Sequence, residues 1–197
     1  MDGGPIGPAD KAVAALAGQL LVATPLLADP PFVRTVIAVL EHGAESGALG
    51  VVLNRPMTLE VADVIAIGPD LLSSPPVVFD GGPVSPETAI AVGIPAPDTL
   101  PGEVWRPSAP PYVTVDLDAD PDLLAQGLRR LRVFAGYAGW AAGQLEAEVG
   151  EGAWYVVDSL PDDVFGAEPE TLWRRVLRRQ GWPLAAVATC PIDPTLN

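Results

Sequence analysis

Few residues of this chain have side chains that could take part in catalysis. His42 is the only histidine and Cys190 is the only cysteine. His42 follows Glu41 and could act as a general base oriented by a carboxylate, although a single histidine at a strand end more often makes a structural hydrogen bond. Cys190 has no basic neighbour in sequence that would favour a thiolate, so we expect a small buried residue there.

Sequence signatures of the common enzyme classes do not occur either. The chain contains no G-x-S-x-G nucleophile elbow, no G-x-x-x-x-G-K-[ST] phosphate loop and no G-x-G-x-x-G dinucleotide motif. One cysteine and one histidine do not supply the ligands of a standard zinc site. We therefore predict no catalytic residue, no metal site and no cofactor.

Two glycine-rich segments and one polar pair are suited to binding. Arg55 follows Asn54 at the end of a predicted strand, where its guanidinium can pair with a carboxylate of the protein or with an anionic ligand. The segments DGGPV at 80–84 and GYAGW at 136–140 predict constrained turns whose amides could hold an anion, or which let a sheet turn tightly against a helix. The candidate ligand-binding residues are Asn54, Arg55, Gly81, Gly82, Gly136, Tyr137, Gly139 and Trp140.

The arginines are grouped within a strongly acidic chain. The formal net charge is -14, and residues 1–128 hold sixteen acidic and four basic side chains. The two arginine clusters are Arg129, Arg130 and Arg132, and Arg174, Arg175, Arg178 and Arg179. Each cluster is either a solvated helix face or a surface for an anion or an acidic partner. The overall acidity opposes binding to nucleic acid. The sequence leaves the partner open between a protein and a small anionic ligand.

Length and composition indicate one domain. A chain of 197 residues, with 49% hydrophobic and 18% charged residues, is long enough to bury a single core. We expect an N-terminal extension over 1–17, with a short helix at 11–17, and one domain over 18–197. The acidic N-terminus differs from a secretory signal, and the apolar runs are shorter than the roughly 20 residues of a membrane span. We therefore expect a cytoplasmic protein without membrane contact.

The elements that must position the candidate residues are mainly short strands. Apolar and β-branched runs at 33–40 and 49–53 flank a glycine-containing loop and predict an antiparallel hairpin. Pairing His42 with Leu49 across this loop places Arg55 roughly 17 Å from His42 at the rise of a strand, which is too far for one site.

Helical patterns are fewer than strand patterns. Residues 58–67 predict a short helix, as do residues 121–129, and residues 168–179 predict the clearest one, with an apolar stripe opposite its arginines. The proline-rich segment 93–111 predicts a long loop. Strands outnumber helices and do not alternate with them, which favours an α+β fold with a mostly antiparallel or mixed sheet.

Several segments of the chain resemble the YqgE/AlgH family of bacterial proteins. These segments are ATPLLADPPFVRTVI at 23–37, EHGAESGALGVVLNRP at 41–56, GGPV at 81–84, GYAGWAAGQLEAEV at 136–149, GAWYVV at 152–157 and LW at 172–173. The resemblance implies an α+β fold in which a mixed, mostly antiparallel and divided sheet curls into a partial barrel flanked by short helices. It implies no established enzymatic activity, and it brings with it a label of transcriptional regulator.

Three functional hypotheses follow from the residues and the resemblance. The leading one is a cytoplasmic, non-enzymatic binding or regulatory protein, because the family motifs occur without a complete catalytic set. The second is an enzyme acting on a small anionic ligand, which requires Asn54, Arg55, Gly82 and Trp140 to converge on one pocket. The third is a DNA-binding regulator, against which the acidity and the missing helix-turn-helix pattern both count.

Overall fold

The computed structural model of the protein describes residues 16–102 and 104–191, most of which belong to one ten-stranded sheet or to the short helices around it. The strands are β1 (Gln19–Ala23), β2 (Val36–Gly43), β3 (Gly47–Val52), β4 (Pro56–Glu60), β5 (Val77–Asp80), β6 (Val84–Pro95), β7 (Trp105–Pro107), β8 (Val113–Val115), β9 (Leu128–Trp140) and β10 (Trp154–Asp158). The helices are α1 (Pro121–Gly127), α2 (Gln144–Gly150), α3 (Pro161–Phe165), α4 (Leu172–Arg179) and α5 (Leu184–Val187), and 3-10 turns occupy Val61–Asp63, Pro69–Leu71 and Pro169–Thr171.

The long strand β9 divides the sheet into two parts. The strand order is β10-β1-β2-β3-β9-β6-β8-β7, and every neighbouring pair along this path is antiparallel. Strand β5 adds a parallel pairing with β9 and an antiparallel one with β4. Within the described residues β10 and β7 end the path, so the sheet is not closed into a barrel. The predicted α+β class with a divided, mostly antiparallel sheet is confirmed.

Strands β2 and β3 form the predicted antiparallel hairpin. Gly43 pairs with Gly47 at its closed end, and Glu41 pairs with Leu49. The predicted pairing of His42 with Leu49 is therefore wrong by one residue, because closure of the hairpin at Gly43 and Gly47 places His42 opposite Ala48. The ladder shifts again farther from the loop, between Val39 and Glu41. The hairpin still places His42 at its closed end and Arg55 beyond its open end.

The main core lies between the sheet and helices α3 and α4. Strands β1, β2 and β3 contribute side chains such as Leu20, Leu40 and Val51, which belong to the same buried cluster as Trp173 and Val176 of α4. A second core cluster lies around α1, and a third joins α2 to the β1–β2–β3 part of the sheet. Burial of these apolar side chains, at about 25 cal/mol per Å², holds the short helices on the sheet. Trp140, Trp154 and Trp173 are all buried.

The predicted helix over residues 58–67 is wrong. Strand β4 and a 3-10 turn occupy this segment, and β4 pairs with β5 at Pro56–Phe79 and Glu60–Val77. Leu59 and Val64 are exposed, so the apolar spacing of this segment does not mark a buried helical face. A ten-residue helix is marginal on its own, and hydrogen bonding to β5 gives the backbone a better alternative.

Two segments predicted to be turns or loops contain strands. GYAGW forms the last five residues of β9, where Gly136 adopts a positive φ of 70° at the point at which the register with β6 shifts. Within residues 93–111, β6 continues to Pro95, and β7 pairs with β8 through the buried Trp105. In both segments long-range strand pairing overrides the turn preference of glycine and proline.

The segment predicted as a short helix at 11–17 lies almost entirely outside the described residues, so the proposed division between an extension and one domain stays a prediction. Among the helices of residues 16–102 and 104–191, none has the length and apolar character required to cross a membrane.

Candidate functional site

The outer face of α4 borders a cavity of about 770 Å³, which we call the arginine cavity. Its lining residues are Arg34, Asn54, Glu168, Glu170, Thr171, Trp173, Arg174, Arg175, Arg178 and Arg179. Five guanidinium groups therefore face two carboxylates, which makes the cavity cationic in a chain of net charge -14. A cavity of this size is within the range that binds small ligands or side chains of a partner.

The amphipathic sequence of α4 creates this cationic surface. Leu172, Trp173, Val176 and Leu177 are buried against the main core, so the remaining positions of the helix, which carry the arginines, point outwards. The apolar stripe and opposed arginines predicted for residues 168–179 are confirmed. The helix begins later than predicted because Pro169–Thr171 forms a 3-10 turn before it.

Arg34 enters the cavity from the connection between β1 and β2. Its φ is 55°, a left-handed conformation that costs a non-glycine residue about 1–2 kcal/mol. Asn54 holds this conformation: its Nδ2 donates to the carbonyl of Arg34 at 2.9 Å, and its Oδ1 accepts from the amide of Val36 at 2.9 Å. The Asn54 side chain thus satisfies one backbone acceptor and one backbone donor of this connection.

The guanidinium of Arg34 lies over the ring of Trp173, 4.5 Å from its centroid. It also donates to the carbonyl of Cys190 at 2.8 Å and to that of Pro191. Cys190 itself is half-buried, so it is more exposed than the buried residue expected from the sequence. These contacts fix the orientation of the Arg34 guanidinium at the cavity wall.

Arg34 and Arg174 lie close enough to repel each other. Burial lowers the pKa of the Arg34 guanidinium, and the positive charge of Arg174 lowers this pKa further. Two like charges at one cavity wall store electrostatic free energy, which an anion placed between them would release.

The four arginines of α4 differ in their hydrogen bonds and salt bridges to the rest of the protein. Arg179 binds both carboxylate oxygens of the buried Asp163, each at 2.6 Å, and Arg175 donates to the carbonyl of Asp162 at 3.0 Å. Arg174 and Arg178 form no side-chain hydrogen bond or salt bridge with any residue that the structure describes. These two arginines lie four residues apart on one face of the helix.

A second cavity, of about 410 Å³, lies over the sheet where β2, β3, β6 and β9 meet. Its lining includes three of the predicted binding residues, Tyr137, Gly139 and Trp140, together with Glu41 and Leu49. A Cβ atom at Gly139 would lie 3.3 Å from the ring of Tyr137, so this glycine leaves room for the ring. The lining of the second cavity contains one carboxylate and no guanidinium, which makes it chemically unlike the arginine cavity.

The remaining glycines among the predicted binding residues allow backbone segments to touch. A Cβ at Gly81 would lie 2.3 Å from the carbonyl oxygen of Gly136, and a Cβ at Gly136 would lie 2.6 Å from that of Gly82. The amide of Gly81 donates to the carbonyl of Ala135 at 2.8 Å, and that of Gly82 donates to Asp80 at 3.2 Å. These amides are therefore used inside the protein, which favours the close-packing explanation over the anion nest.

The eight predicted binding residues do not meet in one cavity. Asn54 lines the arginine cavity, whereas Trp140 lines the second cavity. Arg55 donates to the carbonyl of Pro30 at 3.2 Å, which is a contact with a neighbouring loop and differs from the predicted salt bridge. The sequence prediction missed Arg34, although Arg34 lies in one of the segments that carry the family resemblance and directly precedes a predicted strand.

His42 and the two carboxylates of α2 form structural contacts. The His42 side chain is only 3% exposed, and its Nε2 lies 2.9 Å from Oε1 of Glu146 and not beside Glu41. Glu148 accepts hydrogen bonds from the indoles of Trp140 and Trp154, both at 2.9 Å. The pair His42–Glu146 ties the β2–β3 hairpin to α2, as expected for a structural histidine.

The other arginine cluster does not form a solvated helix face. Arg130 and Arg132 belong to β9, and only Arg130 forms an exposed salt bridge, to Asp162 at 2.9 Å. Arg132 is buried over the ring of Phe79 and donates to three backbone carbonyls. The helix-face alternative does not hold for this cluster, because strand pairing extends β9 back to Leu128.

Sequence comparisons identify relatives over most of the chain. The family model described as AlgH-like, DUF179, matches residues 20–185. A UPF0301 protein of Streptomyces avermitilis is 54% identical over 188 residues, which cover 94% of this chain and 97% of that protein. A UPF0301 protein of Mycobacterium tuberculosis is 43% identical over 185 residues, covering 92% of this chain and 90% of that one.

Structure comparisons agree with the sequence comparisons. Protein DIP2367 from Corynebacterium diphtheriae superposes with a TM-score of 0.81 at 33% identity, over 88% of this chain and 91% of that chain. AlgH from Pseudomonas aeruginosa superposes with a TM-score of 0.66 at 28% identity, over 95% of this chain and 98% of that chain. Since the family model and these relatives cover most of the fold, the chain belongs to the AlgH-like family, as the resemblance of its motifs predicts.

Proposed function

We propose that the protein is a non-enzymatic binding protein that takes an anionic group of its ligand into the arginine cavity. The observation that carries this proposal is the arrangement of Arg34, Arg174 and Arg178 around one cavity. Arg34 is held in a costly backbone conformation at its wall, and the other two guanidiniums make no hydrogen bond to a described side chain or carbonyl. Together they offer several donors to one anion.

The chemistry of guanidinium groups supports an anion as the occupant. Arginine presents planar, paired N–H donors that match carboxylate and phosphate oxygens, and charge-assisted hydrogen bonds of this kind are about twice as strong as neutral ones. Trp173 closes the inner wall of the cavity, which reduces solvent screening of Arg34. Binding of an anion also offsets the repulsion between Arg34 and Arg174.

The two other hypotheses draw less support from the geometry. An enzyme that holds a small anion between Arg55 and the glycine turns needs those groups in one cavity, whereas Asn54 and Trp140 line separate cavities. A DNA-binding surface needs a wide array of free cations, whereas Arg132 is buried and Arg130 is paired with Asp162.

Titration with inorganic pyrophosphate tests the proposal. We expect saturable binding by calorimetry, together with NMR shifts of backbone amides in α4, and at least a tenfold loss of affinity in an Arg174→Glu/Arg178→Glu variant. An Arg106→Glu/Arg129→Glu variant is the matched control, because it makes the same charge change at exposed positions outside the cavity. Equal losses in the two variants would show a general charge effect and contradict a specific site.

Phosphorus NMR of the same samples tests the non-enzymatic part of the proposal. Pyrophosphate and orthophosphate give separate signals, so hydrolysis during the titration is directly visible. We expect no orthophosphate beyond that formed in buffer. Turnover that is lost in the Arg174→Glu/Arg178→Glu variant would establish an enzyme and overturn this part.

A further inference from the structure

One of the five tryptophans, Trp182, is far more exposed to solvent than the other four. All five tryptophans lie in the described part of the chain, and Trp105, Trp140, Trp154 and Trp173 are buried. Trp182 is 85% exposed. Tryptophan side chains are on average highly buried in folded proteins. Tryptophans that remain on the surface are enriched at interfaces with other molecules.

Trp182 lies at the end of the arginine row of α4. The amide of Gly181 donates to the carbonyl of Arg178 at 3.3 Å, and Gly181 has a φ of 75°, so the helix ends with a left-handed glycine. Trp182 follows this glycine and precedes α5, which begins at Leu184. It therefore lies four residues beyond Arg178 in sequence, just past the end of the helix. Residues 178–183 are all exposed, and this exposed run begins with Arg178 and Arg179, which line the arginine cavity.

We infer that Arg174, Arg178 and Trp182 form one docking surface for an acidic segment of a partner protein. Carboxylates of the segment bind the two guanidiniums, and an apolar side chain of the segment packs on the Trp182 indole. This inference rests on the proposed function and names the class of ligand. Tryptophan and arginine are the residue types that dominate binding energy in protein interfaces.

Charge and geometry favour this occupant over the alternatives. A small anion would fill the arginine cavity without reaching Trp182, whereas an extended acidic segment spans both. The inner ring of Trp173 is covered by Arg34, so the cavity itself offers no open aromatic face for a flat ligand. A second copy of this chain brings a net charge of -14, so its long-range repulsion is stronger than that of a short acidic segment with only a few carboxylates.

Fluorescence quenching tests the inference on the full chain. The probe is a glutamate-rich peptide with one central phenylalanine, compared with the same peptide carrying serine at the centre. Acrylamide quenches mainly Trp182, because the other four indoles are buried. We expect the phenylalanine peptide to protect Trp182 from acrylamide, to bind more tightly than the serine peptide, and to lose affinity with rising salt.

Two variants separate this inference from the proposed function. Trp182→Ser should weaken the phenylalanine peptide roughly tenfold and leave pyrophosphate binding unchanged, whereas Leu100→Ser, which changes an 84% exposed residue elsewhere, should alter neither. If the peptide affinity falls in Arg174→Glu/Arg178→Glu but is unchanged in Trp182→Ser, the docking surface is contradicted and the anion site is still supported. If Arg174→Glu/Arg178→Glu changes binding of neither probe, both proposals fail.

The oligomeric state tests whether the docking surface binds a second copy of this chain instead of a partner protein. Sedimentation of the full chain should show the same mass for the wild type and for Trp182→Ser. A dimer that dissociates in Trp182→Ser and does not bind the peptide would assign the surface to self-association and overturn the inference.

Discussion

Asn54 positions a second residue of the proposed binding site, Arg34, in addition to lining the cavity itself. Its amide joins the carbonyl of Arg34 to the amide of Val36 and so keeps Arg34 in its left-handed conformation. We expect Asn54→Ala to lower the free energy of unfolding by about 1–3 kcal/mol, because the Val36 amide loses its partner. The same variant should weaken pyrophosphate binding, since Arg34 is then free to leave the cavity wall. Urea denaturation and calorimetry measure the two effects.

An Asn54→Asp variant separates the two hydrogen bonds. Aspartate keeps an acceptor for the Val36 amide and loses the donor to the Arg34 carbonyl. We expect a smaller loss of stability than in Asn54→Ala, with a comparable loss of pyrophosphate affinity. A variant that retains full affinity would show that Arg34 holds its position without Asn54.

Arg132 illustrates a different use of arginine at the residue scale. Its guanidinium is buried over Phe79 and donates to the carbonyls of Ser74, Val164 and Gly166. Burial lowers the pKa of Arg132 to about 10, so at neutral pH the folded state bears the cost of a desolvated charge, which these hydrogen bonds offset. Since the folded pKa lies below the unfolded one, this cost decreases only as the pH rises above about 10.

Replacement of Arg132 by methionine tests this arrangement. We expect Arg132→Met to destabilise the fold by about 2–4 kcal/mol in urea denaturation, because three carbonyls lose their donor. Arg132→Lys should not restore stability, since an ammonium cannot reproduce the planar fork. The control is Arg129→Met on the same strand, where the exposed side chain should change stability by no more than about 0.5 kcal/mol. Similar losses at the two positions would contradict a specific role for Arg132.

The arginines also show what sequence can predict about single residues. Spacing alone placed Arg174 and Arg178 on the outer face of a helix, because the apolar stripe of that helix is local in sequence. Neither the burial of Arg132 nor the entry of Arg34 into the cavity follows from spacing. Both depend on partners far away in the chain, Val164 and Cys190 among them, whose positions only the folded sheet determines.

At the scale of elements, the connection between β5 and β6 crosses β9 so closely that the backbones of the two segments are in contact. Gly136 and Gly143 both have positive φ, 70° and 77°, but a Cβ at Gly136 would lie 2.6 Å from a carbonyl oxygen, whereas a Cβ at Gly143 meets nothing within 4 Å. We expect Gly143→Ala to cost about 1 kcal/mol of backbone strain and Gly136→Ala to cost about 3 kcal/mol or more. Urea denaturation of both variants measures the difference. Equal losses would mean that strain at positive φ, and not the close backbone contact, explains Gly136.

Elements were predictable from sequence where their determinants are local. The β2–β3 hairpin follows from two apolar runs around a short glycine loop, and α4 follows from its apolar stripe. Strand β4 was not predictable, because its pairing with β5 joins segments some twenty residues apart and overrides a weak helical pattern. The glycines of GYAGW favour a turn in isolation, and only their contact with Gly81 and Gly82 explains a strand there.

At the scale of the whole molecule, charge is distributed unevenly. The chain has a net charge of -14, yet five arginines line one cavity. We expect the melting temperature to rise when sodium chloride is increased from about 0.02 M to about 0.5 M, because salt screens the repulsion among the excess carboxylates. Differential scanning calorimetry measures this shift. A fall in melting temperature would indicate that attractive ion pairs outweigh the net repulsion.

Specific anion binding should add to this general screening. At constant ionic strength, replacing part of the chloride by pyrophosphate at about one hundred times its dissociation constant should stabilise the wild type by about 2.7 kcal/mol, since the ligand binds only the folded state. Arg174→Glu/Arg178→Glu should lose this increment while responding more strongly to sodium chloride, because its net charge is more negative by four. The Arg106→Glu/Arg129→Glu control has the same net charge and should keep the pyrophosphate increment. Loss of the increment in both variants would assign the stabilisation to net charge and not to the arginine cavity.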